Sequence, residues 1–176
     1  MSENCWYVLR DLKRANAKLR AWEILADKGF EVFTPLKWEI CRQGGRRSRK
    51  LVPVIGDLLF VRGSHDSIEV EIRKTPTLQF RYVKNGGGQP LAVSGVDMQR
   101  FMDAVKNPDK VKYYTAADLN NVKIGKRVRI IGGALCGYEG KLLSVRGSRV
   151  KRLLIEIPEL LTASVEIDPE LIEIIE

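Results

Sequence analysis

Five cations fall within nine residues in Arg42-Gln43-Gly44-Gly45-Arg46-Arg47-Ser48-Arg49-Lys50, with no acid among them. Like charges at this spacing repel one another, and the two glycines predict the tip of a loop, so the segment is expected to reach outward toward a polyanion. A basic arm of this kind gains affinity for nucleic acid mainly by releasing condensed counterions, which makes binding insensitive to base sequence and steeply dependent on salt. A turn kept soluble by its own charge is the other reading. The glycine tip and the density of like charge favour the first.

The remaining reactive residues are sparse. His65 is the single histidine and sits in the polar run Gly63-Ser64-His65-Asp66, which reads as surface rather than as an acid/base centre. Glu69 and Glu71 share one face of a strand-like segment and read as a solvated edge, with no metal or sugar cleft implied around them. Cys5, Cys41 and Cys136 are too few and too far apart for a disulfide framework, and with one histidine no Cys/His metal cluster can be drawn. Gly86-Gly87-Gly88 lacks the Lys-Ser/Thr that follows in a phosphate-binding loop. The expectation is a protein that is not an enzyme, with no catalytic residue, cofactor or metal.

These residues must be carried by a scaffold, and the composition allows one. The chain has 176 residues, 44% of them apolar, and a formal net charge of +8. That suits one medium domain or two small ones. No stretch of about eighteen apolar residues occurs, and Met1-Ser2-Glu3-Asn4-Cys5 has neither a basic nor an apolar leader region, so a cytoplasmic protein without a membrane partner is expected. Charge is polarised in the last third. Lys123 to Arg152 holds nine basic residues against Glu139 alone, whereas Leu153 to Glu176 holds seven acids and no base. Two faces of opposite sign are expected there.

Trp6-Tyr7-Val8-Leu9-Arg10 reads as a strand. Ala15, Leu19, Trp22 and Ala26 recur at helical spacing up to Lys28, with Gly29 at the stop and Trp22 in the core. Glu31 to Leu36, Trp38 to Cys41 and Gln79 to Val83 read as extended, and Leu58 to Val61 reads as a buried strand. Ser94-Gly95-Val96-Asp97 then opens a helix with Met98, Phe101, Met102 and Val105 on one stripe. This order predicts an α+β sandwich with an antiparallel sheet over residues 1–108. A linker over 109–122 follows, with a helical turn begun by Thr115. Short apolar segments around Val128 and Ile130, Leu142 and Val145, Leu153 to Ile157, Val165 and Ile167, and Leu171 and Ile174 predict a small all-β barrel of about five strands over 123–176.

The run Gly125-Lys126-Arg127-Val128-Arg129-Ile130-Ile131-Gly132-Gly133-Ala134-Leu135-Cys136-Gly137-Tyr138-Glu139-Gly140-Lys141 resembles the KOW motif of ribosomal proteins and NusG-type elongation factors. Val128 and Ile130 alternate as a strand requires, Gly133 suits a positive φ, Gly140 suits close backbone approach, and Leu135 and Tyr138 are expected to plug the end of an SH3-like barrel. Trp6 to Leu9, the helix after it, Phe33-Thr34-Pro35-Leu36, the basic loop and Leu58 to Val61 resemble the NusG amino-terminal domain in the same order. Where that family has Phe-Pro-Gly-Tyr, this chain has Ile55-Gly56-Asp57-Leu58, which loses a phenol. The combination is most similar to specialised UpxY-like or RfaH-like antitermination paralogues.

The resemblance implies a monomeric transcription elongation or antitermination factor. Its first domain would grip core RNA polymerase, with Phe33, Leu58 and Phe60 as apolar contacts; strand alternation also allows Phe33 and Phe60 to face the domain's own core. Arg42, Arg46, Arg47, Arg49 and Lys50 would contact DNA near the upstream fork or the non-template strand, suppressing pausing or termination. The barrel would recruit a ribosomal protein or Rho. Leu153 to Leu161 is rich enough in β-branched residues to favour strands over a helical hairpin. A ribosome-associated KOW protein that binds structured RNA is the alternative.

Overall fold

The computed structural model describes residues 5–12, 20–119, 123–143, 149–157 and 160–175. The expected helical positions Ala15 and Leu19, and the strand residue Val145, lie outside them. The folded chain divides into two compact units, Met1–Gly95 and Val96–Glu176.

The first unit is built on an antiparallel sheet. Its central strand β1 (Cys5–Asp11) is flanked by β5 (Leu58–Arg62) on one side and by β6 (Leu78–Phe80) and β7 (Ala92–Ser94) on the other, and β2 (Glu31–Phe33) forms the edge beyond β5. Helix α1 (Ala21–Asp27) and helix α2 (His65–Lys74) cover one face, where Leu9, Leu59, Val61, Leu78 and Phe80 of the sheet pack with Ala21, Leu25 and Ile68. Trp22, expected in the core, is only partly buried against it, and Arg20 lies 4.7 Å above its ring. Trp6, Val8, Leu58, Phe60 and Val93 occupy the opposite face and are also buried, so both sides of β1 and β5 are apolar.

Helix α2 departs from the sequence expectation of a turn and a strand-like edge. Ser64 caps it by accepting from the Ser67 backbone N–H at 3.2 Å, Asp66 lies in its first turn, and Arg73 and Lys74 lie in its last. These charges complement the helix dipole. Glu69 and Glu71 therefore diverge: Glu69 pairs with Arg73 at 2.9 Å, while the buried Glu71 is held by Lys28 and by Lys74. A separate two-stranded ribbon, β3 (Leu36–Gln43) and β4 (Arg46–Pro53), stands outside the five-stranded sheet.

In the second unit, helix α3 (Gly95–Ala104) buries Met98, Phe101 and Ala104 as the stripe predicts. The expected boundary at 108 and the linker at 109–122 differ from what is observed. The division falls after the first residue of α3, and β8 (Val111–Tyr114) pairs with β12 (Leu161–Ile167) as an edge strand. Val111, Tyr113 and Tyr114 supply β propensity that a polar reading of the stretch overlooks. The short helix α4 (Ala116–Leu119) follows, capped by Thr115, whose backbone N–H and hydroxyl both donate to Asp118.

The second sheet is antiparallel throughout, in the order β13 (Ile172–Ile174), β9 (Ile124–Ile130), β10 (Glu139–Leu143), β11 (Lys151–Ile157), β12, β8. The β10–β9 register shifts between Lys141 and Leu143, which buries Leu143 where the sequence suggested Leu142. Acid and base do not separate onto two faces: Arg129 on β9 is bridged both to Glu139 on β10 and to Glu173 on β13.

Several carboxyls in both units sit below their ordinary range. Hydrogen bonds from Lys28 and then Lys74 lower Glu71, one from Arg129 lowers Glu139, and one from Lys106 lowers Asp103. Burial pushes Asp57 upward, but the Arg10 hydrogen bond and the charges of Arg81 and Arg10 outweigh it. A carboxyl lowered by folding adds stability that is fully present above its unfolded pKa and is lost as pH falls through the folded one. The thermal midpoint is therefore expected to fall continuously below about pH 4, a trend that melting curves across an acid series will check.

Candidate nucleic-acid interface

The basic loop is the tip of the ribbon. Gly44 and Gly45 have φ of 58° and 77°, so the two-residue connection takes the left-handed backbone that a tight hairpin needs and that larger residues resist. Pairing runs from Leu36↔Pro53 to Gln43↔Arg46 without a slip. At the base, the Val54 backbone N–H donates to the Pro35 carbonyl at 2.9 Å, and the Thr34 hydroxyl donates to the Leu58 carbonyl at 2.9 Å. The ribbon is thus tied to the main sheet at one end and exposed along most of its length.

Arg42, Arg46, Arg47, Arg49 and Lys50 are all exposed. Arg42 stands directly opposite Arg47. Like charges facing each other across strands destabilise a hairpin, so this arrangement works against the fold unless an anion screens it. The five groups the sequence singled out are brought together on one projecting element, in a geometry suited to a polyanion.

The three apolar positions fare differently. Leu58 is 2% exposed and Phe60 is fully buried, because β5 lies inside the sheet with neighbours on both sides. Neither presents a surface to a partner, and the expectation that they form a contact face is corrected to a core role. Phe33 is half-buried on the edge strand β2, its ring 6.2 Å from that of its register partner Phe60.

In the second unit the glycine-rich run forms the end of β9, a turn and the start of β10. Val128 and Ile130 are buried, Gly125 is exposed, and Gly133 has φ 75°. A Cβ on Gly140 would lie 2.6 Å from the Leu154 carbonyl oxygen, so only glycine admits β11 this closely. Leu135 is half-buried. Tyr138 does not plug a barrel end: its hydroxyl donates to Asp103 on α3 at 3.3 Å, and Arg100 lies 5.6 Å from its ring centroid.

Sequence reasoning missed Arg152. It is 5% exposed on β11, with Nε on the Ser164 hydroxyl at 2.9 Å, Nη1 on Glu166 at 2.8 Å, and Nη2 on the carbonyls of Lys110 at 2.7 Å and Ser164 at 2.9 Å. In sequence it is one more cation in a basic run. Only the register with Ser164 and Glu166 reveals it as a buried tie holding the approach to β8.

His65, Asp66 and Glu69 bring one donor atom each within 4.8 Å of one another. His65 stacks on Phe80 at 5.1 Å and Glu69 is bridged to Arg73, which accounts for both without an ion.

The family model described as transcription termination factor NusG matches residues 4–102, more than half of the chain. The chain belongs to the NusG family. A solved structure of NusG from Thermotoga maritima, described under its domain interaction, is 19% identical and is matched over 97% of each chain with a TM-score of 0.51, a likeness of fold. No curated protein matches the chain. NusG-family proteins are transcription factors rather than enzymes. Among the described residues no helix is long and apolar enough to cross a membrane.

Proposed function

We propose that this NusG-family chain is an elongation or antitermination factor that binds core RNA polymerase through its first unit. It holds DNA near the upstream fork or the non-template strand with its ribbon and recruits a ribosomal protein or Rho through its second sheet. The carrying observation is a NusG amino-terminal match that includes a projecting ribbon with five exposed cations and no acid near its tip. Such a protein makes and breaks no bond. It acts by binding the running form of polymerase more tightly than the paused form, because equal affinity for both shifts nothing. Phe33, with accessible surface on the edge strand, is the apolar position left to contact polymerase.

Co-elution of the full chain with core polymerase in size-exclusion chromatography tests this reading. Co-elution that persists in a variant with a neutralised ribbon is expected, since the polymerase grip is apolar. Elution apart from the enzyme at micromolar concentrations overturns it.

A further inference from the structure

We infer that the ribbon has two different sides, and that the acid-free side binds unpaired bases of single-stranded DNA by stacking on Trp38 and Arg49. The inference rests on the reading of the ribbon as a nucleic-acid contact and names its ligand.

Register and strand alternation place Trp38, Ile40 and Arg42 of β3 with Arg47, Arg49 and Leu51 of β4 on one side. The contact between Arg49 and Trp38, 4.7 Å from guanidinium carbon to ring centroid, joins diagonal neighbours on that side. Its apolar groups are open: Trp38 is 37% exposed, Ile40 67% and Leu51 43%. The other side carries Lys37, Arg46 and Lys50 but also Glu39, which stands opposite Lys50. Near the base, Lys37, Glu39 and Val52 of that side line a groove of about 530 Å³ shared with Arg20 and Trp22. One side is therefore partly engaged by its own unit, while the other is open, free of acid, and both cationic and apolar.

Those two properties point to one kind of ligand. Phosphate contacts account for the arginines but gain nothing from an exposed indole, isoleucine or leucine. Duplex DNA keeps its base faces stacked inside, so these groups find partners only where bases are unpaired. A guanidinium already laid on an indole is planar and weakly hydrated, and a base extends that stack at little further ordering cost. The arginines of this side can donate to the phosphates of either strand type, and DNA is the ligand named because the ribbon is read as a DNA contact.

The test is fluorescence anisotropy with the full chain and labelled probes of one sequence, about 20 nucleotides long: single-stranded DNA, the duplex, and single-stranded RNA, each over a salt series. Single-stranded DNA is expected to bind at least tenfold more tightly than duplex. Trp38→Ala should weaken the single strand roughly tenfold with its salt slope unchanged, within the range for losing one stacked base. It should leave duplex binding within about twofold, and Trp38→Phe should restore most of the loss. Arg46→Gln with Lys50→Gln should weaken both probes and flatten both slopes. Circular dichroism of each variant separates loss of contact from loss of fold. Equal effects of Trp38→Ala on single strand and duplex, or none on either while salt-dependent binding persists, overturn the stacking side and leave the phosphate reading standing. RNA bound tenfold more tightly than DNA, or an acidic peptide bound in preference to both, overturns it as well. No salt-dependent binding of any probe overturns this inference and the nucleic-acid reading of the ribbon together.

Discussion

Changing Arg42, Arg46, Arg47, Arg49 and Lys50 together to glutamine is expected to remove most of the salt dependence of duplex DNA binding. If three to five of these cations contact phosphate, log affinity falls against log salt with a slope of about −3 to −5, at ~0.9 per contact. Between about 50 and 200 mM salt the native chain then loses roughly 60- to 1000-fold in affinity, whereas the variant loses less than about tenfold. Stability should move the opposite way. Arg42 faces Arg47 directly across the ribbon, and removing that repulsion is worth a few tenths of a kcal/mol or more, so the variant should melt no lower than the native chain. Titrations at several salt concentrations, with a melting curve for each protein, read both effects. A slope that survives the substitutions means that the cations are merely solvated and that any DNA contact lies elsewhere.

Replacing Arg152 with methionine should damage the second unit without touching the ribbon. The substitution keeps much of the buried stem but strips the hydrogen bonds from the hydroxyl and carbonyl of Ser164 and from the Lys110 carbonyl, and it leaves Glu166 without its cross-strand partner. Glu166 is 43% exposed and returns to water, but the hydroxyl and carbonyl of fully buried Ser164 are left unsatisfied, which costs about 2–4 kcal/mol in all. For a chain of this size that lowers the melting midpoint by about 5 °C or more. Arg152→Lys keeps the charge but cannot reproduce the planar fork that reaches three residues, and it should recover less than half of the loss. A methionine variant that melts within about 3 °C of the native chain would show that the network adds little beyond solvating its own parts.

What the sequence disclosed follows from the range of the interactions involved. Half of the ribbon was legible, because Trp38 to Cys41 reads as extended and two adjacent glycines mark its tip; β4 was not, because Arg46 to Lys50 has no apolar alternation and reads as loop. The Gly133 turn and the strand pattern of Val128 and Ile130 were legible from equally local signals. Helix α2 was not, because Ile68, Val70 and Ile72 alternate with polar residues and imitate a half-buried strand. In the structure Ile68 is fully buried while Val70 is 48% exposed, and the Ser64 cap with Arg73 and Lys74 at the far end was the better signal. Leu58 was misassigned although the unbroken apolar run from it through Val61 reads as a buried strand, and of the two readings open to Phe60 the structure supports the core one. Such a run marks a strand covered on both faces, which leaves nothing for a partner to touch. Arg152 and Tyr138 depend on partners elsewhere in the chain, Glu166 and Asp103 among them, that only the folded topology brings near.

The central claim is that this chain is a non-catalytic clamp on transcribing polymerase. It is tested most directly by measuring pause half-life and terminator read-through in a purified elongation reaction, with the protein added at concentrations where it co-elutes with core enzyme. The account predicts shorter pauses and greater read-through than with polymerase alone, and a smaller effect when the five ribbon cations are neutralised. Pause lifetimes and read-through unchanged by the native protein under those conditions would contradict it.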